Sequence, residues 1–286
     1  MKLISRSLGG SALCAIGLVV MSHLADAASL IGSENGSADR SRGPPQTASD
    51  SVTPADIFPY PSVGRFRGAM KCTAAIVLDA RIIITAAHCV VRDDRPPGPT
   101  SFYFETARDA GAVFDRIEAK VWAIGTTKAS RRQSTHDVLN DWAILVLEHA
   151  PATALPLRLG STLLEPLNSY ERRLSLPSYS INSSGAWVPT IDTACSPHPP
   201  ISGVPTHDCK ATYGSSGAPL LIRDRDWYAV AGIHTGSMFA AEDDGRVGGL
   251  IGNTAVSVQA FSDAMQVLVR RLNRGDTVYG AGPHVY

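Results

Sequence analysis

Short runs of β-branched and aromatic residues, cut by Gly, Pro and Asp clusters, constrain the fold of this chain more than any other feature. In the first half they are Val63 to Phe66, Lys71 to Leu78, Arg81 to Thr85, Ser101 to Glu105, Ala119 to Ile124 and Trp142 to Leu147. Beyond a proline-bounded stretch, Pro151 to Pro156, they resume at Leu174 to Ser180, Trp187 to Ile191, Ala218 to Ile222, Trp227 to His234 and Leu250 to Thr254. Strands this short, joined by loops without regular helices, suit antiparallel barrels or sandwiches and not a parallel sheet. Pro96-Pro97-Gly98-Pro99 and the polar, basic Thr126 to His136 read as loops. One helical pattern stands near the end, over residues 257–272. There Val256, Phe261, Met265, Leu268 and Leu272 recur at near-helical spacing, with Arg270, Arg271 and Arg274 toward the C-terminal end and Gly275 as a stop.

The 286 residues carry 26 basic and 26 acidic side chains, so the chain lacks the basic footprint of a nucleic-acid binder. Lys2 and Arg6 precede an apolar run from Leu8 to Met21, and Ala25-Asp26-Ala27 follows as a small-x-small site. This predicts a signal peptide over 1–27, since a membrane-spanning helix needs about 20 apolar residues. Leu13 is too large for lipoprotein-type cleavage before Cys14. A secreted or periplasmic protein is therefore expected, with no membrane attachment after signal cleavage. Residues 28–56 are rich in Ser, Gly, Pro and Asp and read as a flexible arm or pro-segment before a packed domain over 57–286.

Without the leader four cysteines remain: Cys72, Cys89, Cys195 and Cys209. An even count in an exported chain suggests two disulfides with three possible pairings, and proximity favours Cys72–Cys89 and Cys195–Cys209. Zinc is the rival reading, given His88, His198 and His207. No C-x-x-C or H-x-x-x-H spacing supports it, so neither metal nor other cofactor is expected.

Three stretches carry chemistry. In Tyr213-Gly214-Ser215-Ser216-Gly217-Ala218-Pro219, glycines let a turn hold a hydroxyl forward with backbone N–H groups facing the same space. Acyl transfer needs that pairing of nucleophile and oxyanion donors. In Ile82-Ile83-Ile84-Thr85-Ala86-Ala87-His88-Cys89, a β-branched strand ends in small residues and then a histidine, the side chain best suited to move a serine proton at neutral pH. In Asn140-Asp141-Trp142-Ala143, an aspartate stands at the mouth of an apolar strand, which is costly unless it has a partner. Asp137 competes for that role, but as a residue of a polar approach it reads as solvated.

Together Thr85-Ala86-Ala87-His88-Cys89, Asp141-Trp142-Ala143 and Gly214-Ser215-Ser216-Gly217-Ala218-Pro219 resemble the catalytic motifs of trypsin/chymotrypsin-like serine proteases. The order His, Asp, Ser is that family's, unlike subtilisins or α/β-hydrolases. The resemblance covers roughly Phe58 to Phe261 and implies an all-β fold: two six-stranded antiparallel β-barrels, about 58–150 and 157–254, and a C-terminal α-helix. It implies His88 as general base, Asp141 as orienting carboxylate, Ser216 as nucleophile, Gly214 and Ser216 as oxyanion donors, and Cys72–Cys89 as a tether beside the histidine. Ser215 and Ala218 depart from the commonest Asp and Gly, which looks more like the compact bacterial branch that includes glutamyl endopeptidases. Without an Asp at 215, activation by a new N-terminal ammonium lacks its usual partner.

Specificity is read from the same resemblance. Lys210 falls near the floor of the primary pocket, where an Asp would select Arg or Lys. Gly232-Ile233-His234-Thr235-Gly236 resembles the strand that lines the pocket and pairs with substrate backbone, and His234 matches the histidine of glutamyl endopeptidases. A cationic His234 helped by Lys210 would hold a glutamate carboxylate, with Tyr213 at the rim. The expected function is a secreted, monomeric serine endopeptidase acting on proteins or peptides. For its specificity two readings stand: cleavage after Glu, or a His234 that is a buried polar residue bonded within the barrel, with an exposed Lys210 and Tyr213 as ordinary surface residues. A catalytically silent protease-like binding module and an esterase using the same triad are the alternatives.

Overall fold

Ile82-Ile83-Ile84-Thr85 has no polar alternation, and the strand it forms is buried along its whole length. Such a strand must be covered on both faces, and a closed barrel on one side with a second unit packed on the other supplies that cover. The structure, a computed structural model, describes residues 31–32, 59–91, 101–107, 114–128, 134–160, 174–224, 227–241, 247–280 and 284–285. The leader, the 28–56 arm apart from Ile31–Gly32, and the Pro96–Pro99 loop lie outside the described residues.

In chain order the first strands are β1 (Ile31–Gly32), β2 (Val63–Arg67), β3 (Lys71–Ile76), β4 (Ile82–Thr85), β5 (Phe102–Ala107), β6 (Phe114–Ile124) and β7 (Ala143–Leu147). The sheet runs β6-β5-β2-β3-β4-β7, and β7 pairs back onto β6. That closes a six-stranded antiparallel barrel and removes its edges. Phe66, Ile76, Ile83, Phe104 and Leu145 fill it.

The second unit contains β8 (Arg158–Leu159), β9 (Leu174–Ile181), β10 (Trp187–Cys195), β11 (Pro197–Ile201), β12 (Val204–His207), β13 (Pro219–Asp224), β14 (Trp227–Ala241) and β15 (Val247–Ser257). Its path, β10-β9-β13-β14-β15-β12-β11, is an open sheet where the resemblance implies a closed six-stranded barrel. The two ends of the path are nevertheless consecutive in sequence, separated by Ser196 alone. Counting β10 and β11 as one bent strand gives six. The bend is held by the Cys195–Cys209 disulfide and by the Ser196 N–H donating to the Asp208 carboxylate at 2.6 Å.

The β11–β12 hairpin is absent from the periodicity because Pro197, Pro199, Pro200 and Pro205 argue against strand. Its turn is Ser202-Gly203, both at positive φ, 51° and 81°, which is the geometry a two-residue hairpin requires. The segment Thr126–His136, expected as loop, includes the start of a short helix, α1 (Thr135–Leu139). Ser134 and Asp137 close a reciprocal capping box on it.

The terminal helix, α2 (Gln259–Asn273), buries Phe261, Ala264, Met265 and Leu268. These side chains join Trp142, Ile84, Ile233 and Val256 in one cluster drawn from both sheets and the helix. The shared core fixes the two sheets relative to each other. A final strand, β16 (His284–Val285), pairs in parallel with β6.

Candidate active site

β4 ends at Thr85, and after extended Ala86 the chain turns through a short 3-10 segment, Ala87–Cys89. Ala86 and Ala87 are fully buried, so only small side chains fit there. His88 is 1 % exposed. Cys89 is bonded to Cys72 on β3, which ties the turn to the neighbouring strand. Their sequence separation of 17 puts the stabilisation from constraining the unfolded chain at about 3 kcal/mol. The double variant Cys72→Ala/Cys89→Ala is expected to lose about that much, read as a lower urea midpoint, with an m-value that rises because the unfolded chain is no longer tethered.

Asp141 stands between α1 and β7, 1 % exposed. One carboxylate oxygen accepts the His88 main-chain N–H at 2.9 Å, and the other lies 2.7 Å from His88 Nδ1. Since a carboxylate only accepts, Nδ1 carries the ring proton and Nε2 is left with a lone pair. Asp137 does something else. It is buried rather than solvated, accepting from Ser134 Oγ at 2.7 Å and Thr126 Oγ1 at 3.2 Å. Burial alone would raise its pKa, but these bonds and nearby Lys128 leave it lowered. It caps a helix and does not touch His88 in any contact found among the described residues.

The turn that carries Ser216 needs glycine on both sides. Gly214 and Gly217 have φ of 94° and 80°, and a Cβ on Gly217 would meet Thr85 Oγ1 at 2.1 Å and Thr73 O at 2.4 Å. Thr73, on β3 beside Cys72, holds the turn from the first barrel. Its N–H donates to Ser216 O at 2.8 Å and its hydroxyl to Gly214 O at 2.7 Å. Cys89 Sγ, next to His88, lies 4.0 Å from Ser216 O. The elements carrying His88 and Ser216 are therefore in contact. The N–H groups of Ser215, Gly217 and Ala218 are used by the carbonyls of Thr212, His234 and Ser215. Those of Gly214 and Ser216 make no hydrogen bond found among the described residues.

Where the commonest motif has an aspartate, Ser215 is fully buried among hydroxyls. Its Oγ is 2.9 Å from Ser180 Oγ and 3.3 Å from Ser178 Oγ, and both reach Thr190 Oγ1. The alternation of β9 puts Ser178 and Ser180 on one face, a pattern visible in the sequence but meaningful only once Ser215 lies against it.

No family profile matches the chain, and no curated protein matches it. Among solved structures, human heparin binding protein is similar over 84 % of this chain and all of its own, at TM-score 0.56 and 14 % identity. A Glu endopeptidase solved in complex with MPD is similar over 80 % of this chain and 98 % of its own, at TM-score 0.55 and 15 % identity. The chain has the chymotrypsin fold.

In this chymotrypsin-fold chain β13 follows the Ser216 turn directly, and β14 pairs with it and runs back past the turn. His234 N–H donates to Ala218 O and His234 O accepts from Gly217 N–H, so His234 is fastened directly to the turn. A register shift between His234 and Gly236 marks a bulge at Thr235, a device that re-aims side chains beside active sites. Thr235 is buried, its hydroxyl 3.1 Å from Thr254 Oγ1, and Gly236 pairs with Thr254.

The structure gives His234 a different companion from the expected Lys210. Lys210 is exposed, its main-chain N–H donating to Asp192. It makes no contact with His234 found among the described residues. Instead His207 Nε2 lies 3.2 Å from His234 Nδ1, with both rings fully buried. Cys209 N–H donates to His207 Nδ1, which fixes the tautomers in series. His207 Nε2 then carries a proton toward His234 Nδ1, and His234 Nε2 carries the next. That buried Nε2–H has no acceptor among the described residues.

Nor is His234 cationic at neutral pH. Burial, with His207 and His88 nearby, holds its pKa well below the ordinary histidine value, and burial lowers His207 to about 3. Sequence reading meets His207 only as a potential zinc ligand; a histidine within an apolar run two residues before a disulfide cysteine is the available signal. Tyr213 is 44 % exposed beside the turn. The one His/Cys cluster with metal-like spacing among the described residues is Cys72, His88 and Cys89, and its two sulfurs are joined in the disulfide.

Proposed function

We propose that the protein is a serine endopeptidase that cuts after glutamate. The observation carrying this reading is the Asp141 carboxylate, which grips both the main chain and Nδ1 of His88 while Thr73 ties the neighbouring Ser216 turn to the same barrel. In this reading Ser216 Oγ attacks the scissile carbonyl and His88 Nε2 takes its proton. Asp141 steadies the resulting imidazolium, and the Gly214 and Ser216 N–H groups receive the oxyanion. His88 then protonates the departing amine, and water hydrolyses the acyl-enzyme by the reverse roles. Export through the 1–27 leader and action as a monomer on proteins or peptides belong to the same proposal.

The glutamate preference rests on His234. A buried N–H without an acceptor costs roughly 1–3 kcal/mol. A carboxylate arriving there would satisfy it and raise the histidine pKa toward the charged form. The Glu endopeptidase among the structural neighbours supports this choice over an apolar pocket.

The purified protein is expected to label at Ser216 with a fluorophosphonate and to hydrolyse casein, with both signals gone in Ser216→Ala. Peptide-library cleavage should enrich Glu before the cut. The low exposure of Ser216, 3 %, and the heparin binding protein among the neighbours favour a second reading as a silent binding module. In that case neither signal appears, and ligand affinity is indifferent to Ser216→Ala.

A further inference from the structure

Arg65 and Arg67 stand two residues apart on β2, and across the β2–β3 ladder Arg65 faces Thr73 while Arg67 faces Lys71. Strand alternation puts these four side chains on one face of the hairpin. That face meets the second sheet at Trp187, the first residue of β10. Around the Trp187 ring lie the cationic ends of Arg67 at 5.4 Å, Arg65 at 5.7 Å and Lys71 at 6.0 Å from its centroid. The ring quadrupole attracts cations placed this way. Arg65 also donates to Trp187 O at 2.5 Å. Arg67 and Arg116 share one carboxylate, Glu105, at 2.6 and 3.9 Å. Lys71 is exposed and makes no ion pair found among the described residues.

The cluster abuts the Ser216 turn. Trp187 Nε1 donates to Tyr179 O at 2.9 Å, and a Cβ on Gly214 would lie 2.6 Å from that carbonyl and 3.1 Å from that nitrogen. Thr73, which bonds Gly214 O and Ser216 O, is two residues from Lys71 along β3, about 7 Å. β14 is fastened to the other flank of the turn, through Gly217 and Ala218. A peptide bond held at Ser216 with its acyl part along β14 therefore sends its leaving part over Gly214, toward Trp187 and Lys71.

We propose that this cation–tryptophan cluster is a second specificity site, taking an acidic side chain two or three residues past the scissile bond. The proposal rests on the Ser216 peptidase reading above and adds a substrate class: acidic stretches of protein, read on both sides of the cut. Each residue of an extended peptide advances it by about 3.4 Å, so the second residue past the bond spans the distance from Thr73 to Lys71. Lys71 and Arg67 there offer a carboxylate charge-assisted hydrogen bonds. The ring already orders both cations, so little side-chain freedom remains to be lost on binding. A basic side chain at the same place meets like charge and is rejected. Trp187 itself is only 7 % exposed, and it orders the cations instead of touching the substrate.

The test uses the full chain as expressed for export, wild type and Lys71→Glu, with two series of synthetic peptides. One series has Glu before the cut and the other Leu. Within each, the second and third residues past the cut are both Asp, both Asn or both Lys. In wild type kcat/KM is expected to fall about fivefold from Asp to Asn, the upper range for an exposed ion pair, and to fall again from Asn to Lys. The Asp advantage should shrink between about 20 mM and about 0.5 M salt, as screening of exposed charges grows. Lys71→Glu should reverse the order, so that Lys leads. Each result is a ratio within one enzyme, which a general loss of activity does not disturb. Should the variant not fold, the wild-type order and its salt dependence decide. If the Glu series is cut but its Asp, Asn and Lys members turn over equally, or if Lys71→Glu keeps the wild-type order, the cluster inference is overturned and the glutamate reading stands. If the Leu series is cut faster than the Glu series while Asp still leads within it, the glutamate reading falls and the cluster stands. If neither series is cut, both are overturned.

Discussion

Asp141→Asn is expected to lower kcat on a casein-derived peptide by about 10⁴ with the fold intact. The reason lies in what each oxygen of this carboxylate does. An amide can still accept the His88 main-chain N–H with its one oxygen, so the turn keeps its shape. Its NH₂ then faces Nδ1, where only a donor is welcome, and the imidazole must present a lone pair there. The ring proton moves to Nε2, and the base can no longer accept from Ser216. Circular dichroism and urea unfolding should change little while single-turnover acylation nearly stops. The control is Asp137→Asn, which weakens the α1 cap and its contacts with Thr126 and Lys128 and leaves the His88 contacts alone. It should cost about 1 kcal/mol of stability and leave kcat within a few-fold. Equal kinetic effects from the two substitutions would overturn the assignment of Asp141.

His234→Ala should remove the preference for glutamate, dropping kcat/KM for a Glu substrate by about 10² or more relative to an apolar one, because a site built to hydrogen-bond its substrate discriminates strongly. Fluorophosphonate labelling of Ser216 should persist, which separates loss of specificity from loss of chemistry. The same histidine pair gives the fold a pH signature. Both rings have pKa values depressed by burial, so the folded protein binds fewer protons than the unfolded chain below the ordinary value of 6.5. Stability is therefore full above pH 6.5 and is lost as pH falls toward about 3, the value for His207. Urea midpoints measured from pH 7.5 to 4.5 should decline, and His207→Phe should flatten the slope. A pH-independent midpoint would mean the rings are not buried as neutral groups.

The first barrel was legible because its strands are β-branched runs separated by polar turns, and Ile82-Ile83-Ile84 announces a strand covered on both faces. The histidine and serine motifs were legible because few other chemistries require small residues before a histidine or glycines around a serine. The β11–β12 hairpin was not, since four prolines hide it and its turn chemistry, Ser202-Gly203, is two residues long. α1 escaped because a five-residue helix has too little length for periodicity, and only its capping box marks it. Lys210 misled for a related reason: counting back from the nucleophile fixes distance along the chain but not which way a loop residue points. His207 became meaningful only when the β12–β15 and β14–β15 pairings brought it beside His234, contacts between positions 27 apart.

The knot of Ser178, Ser180, Thr190 and Ser215 carries no formal charge. Its members hydrogen-bond among themselves and wait for no counter-ion, so the loop bearing Ser216 is braced as soon as β9, β10 and that loop come together within the second unit. Ionic strength has little purchase on such a brace, and the geometry around the nucleophile should be as well set in molar salt as in dilute buffer.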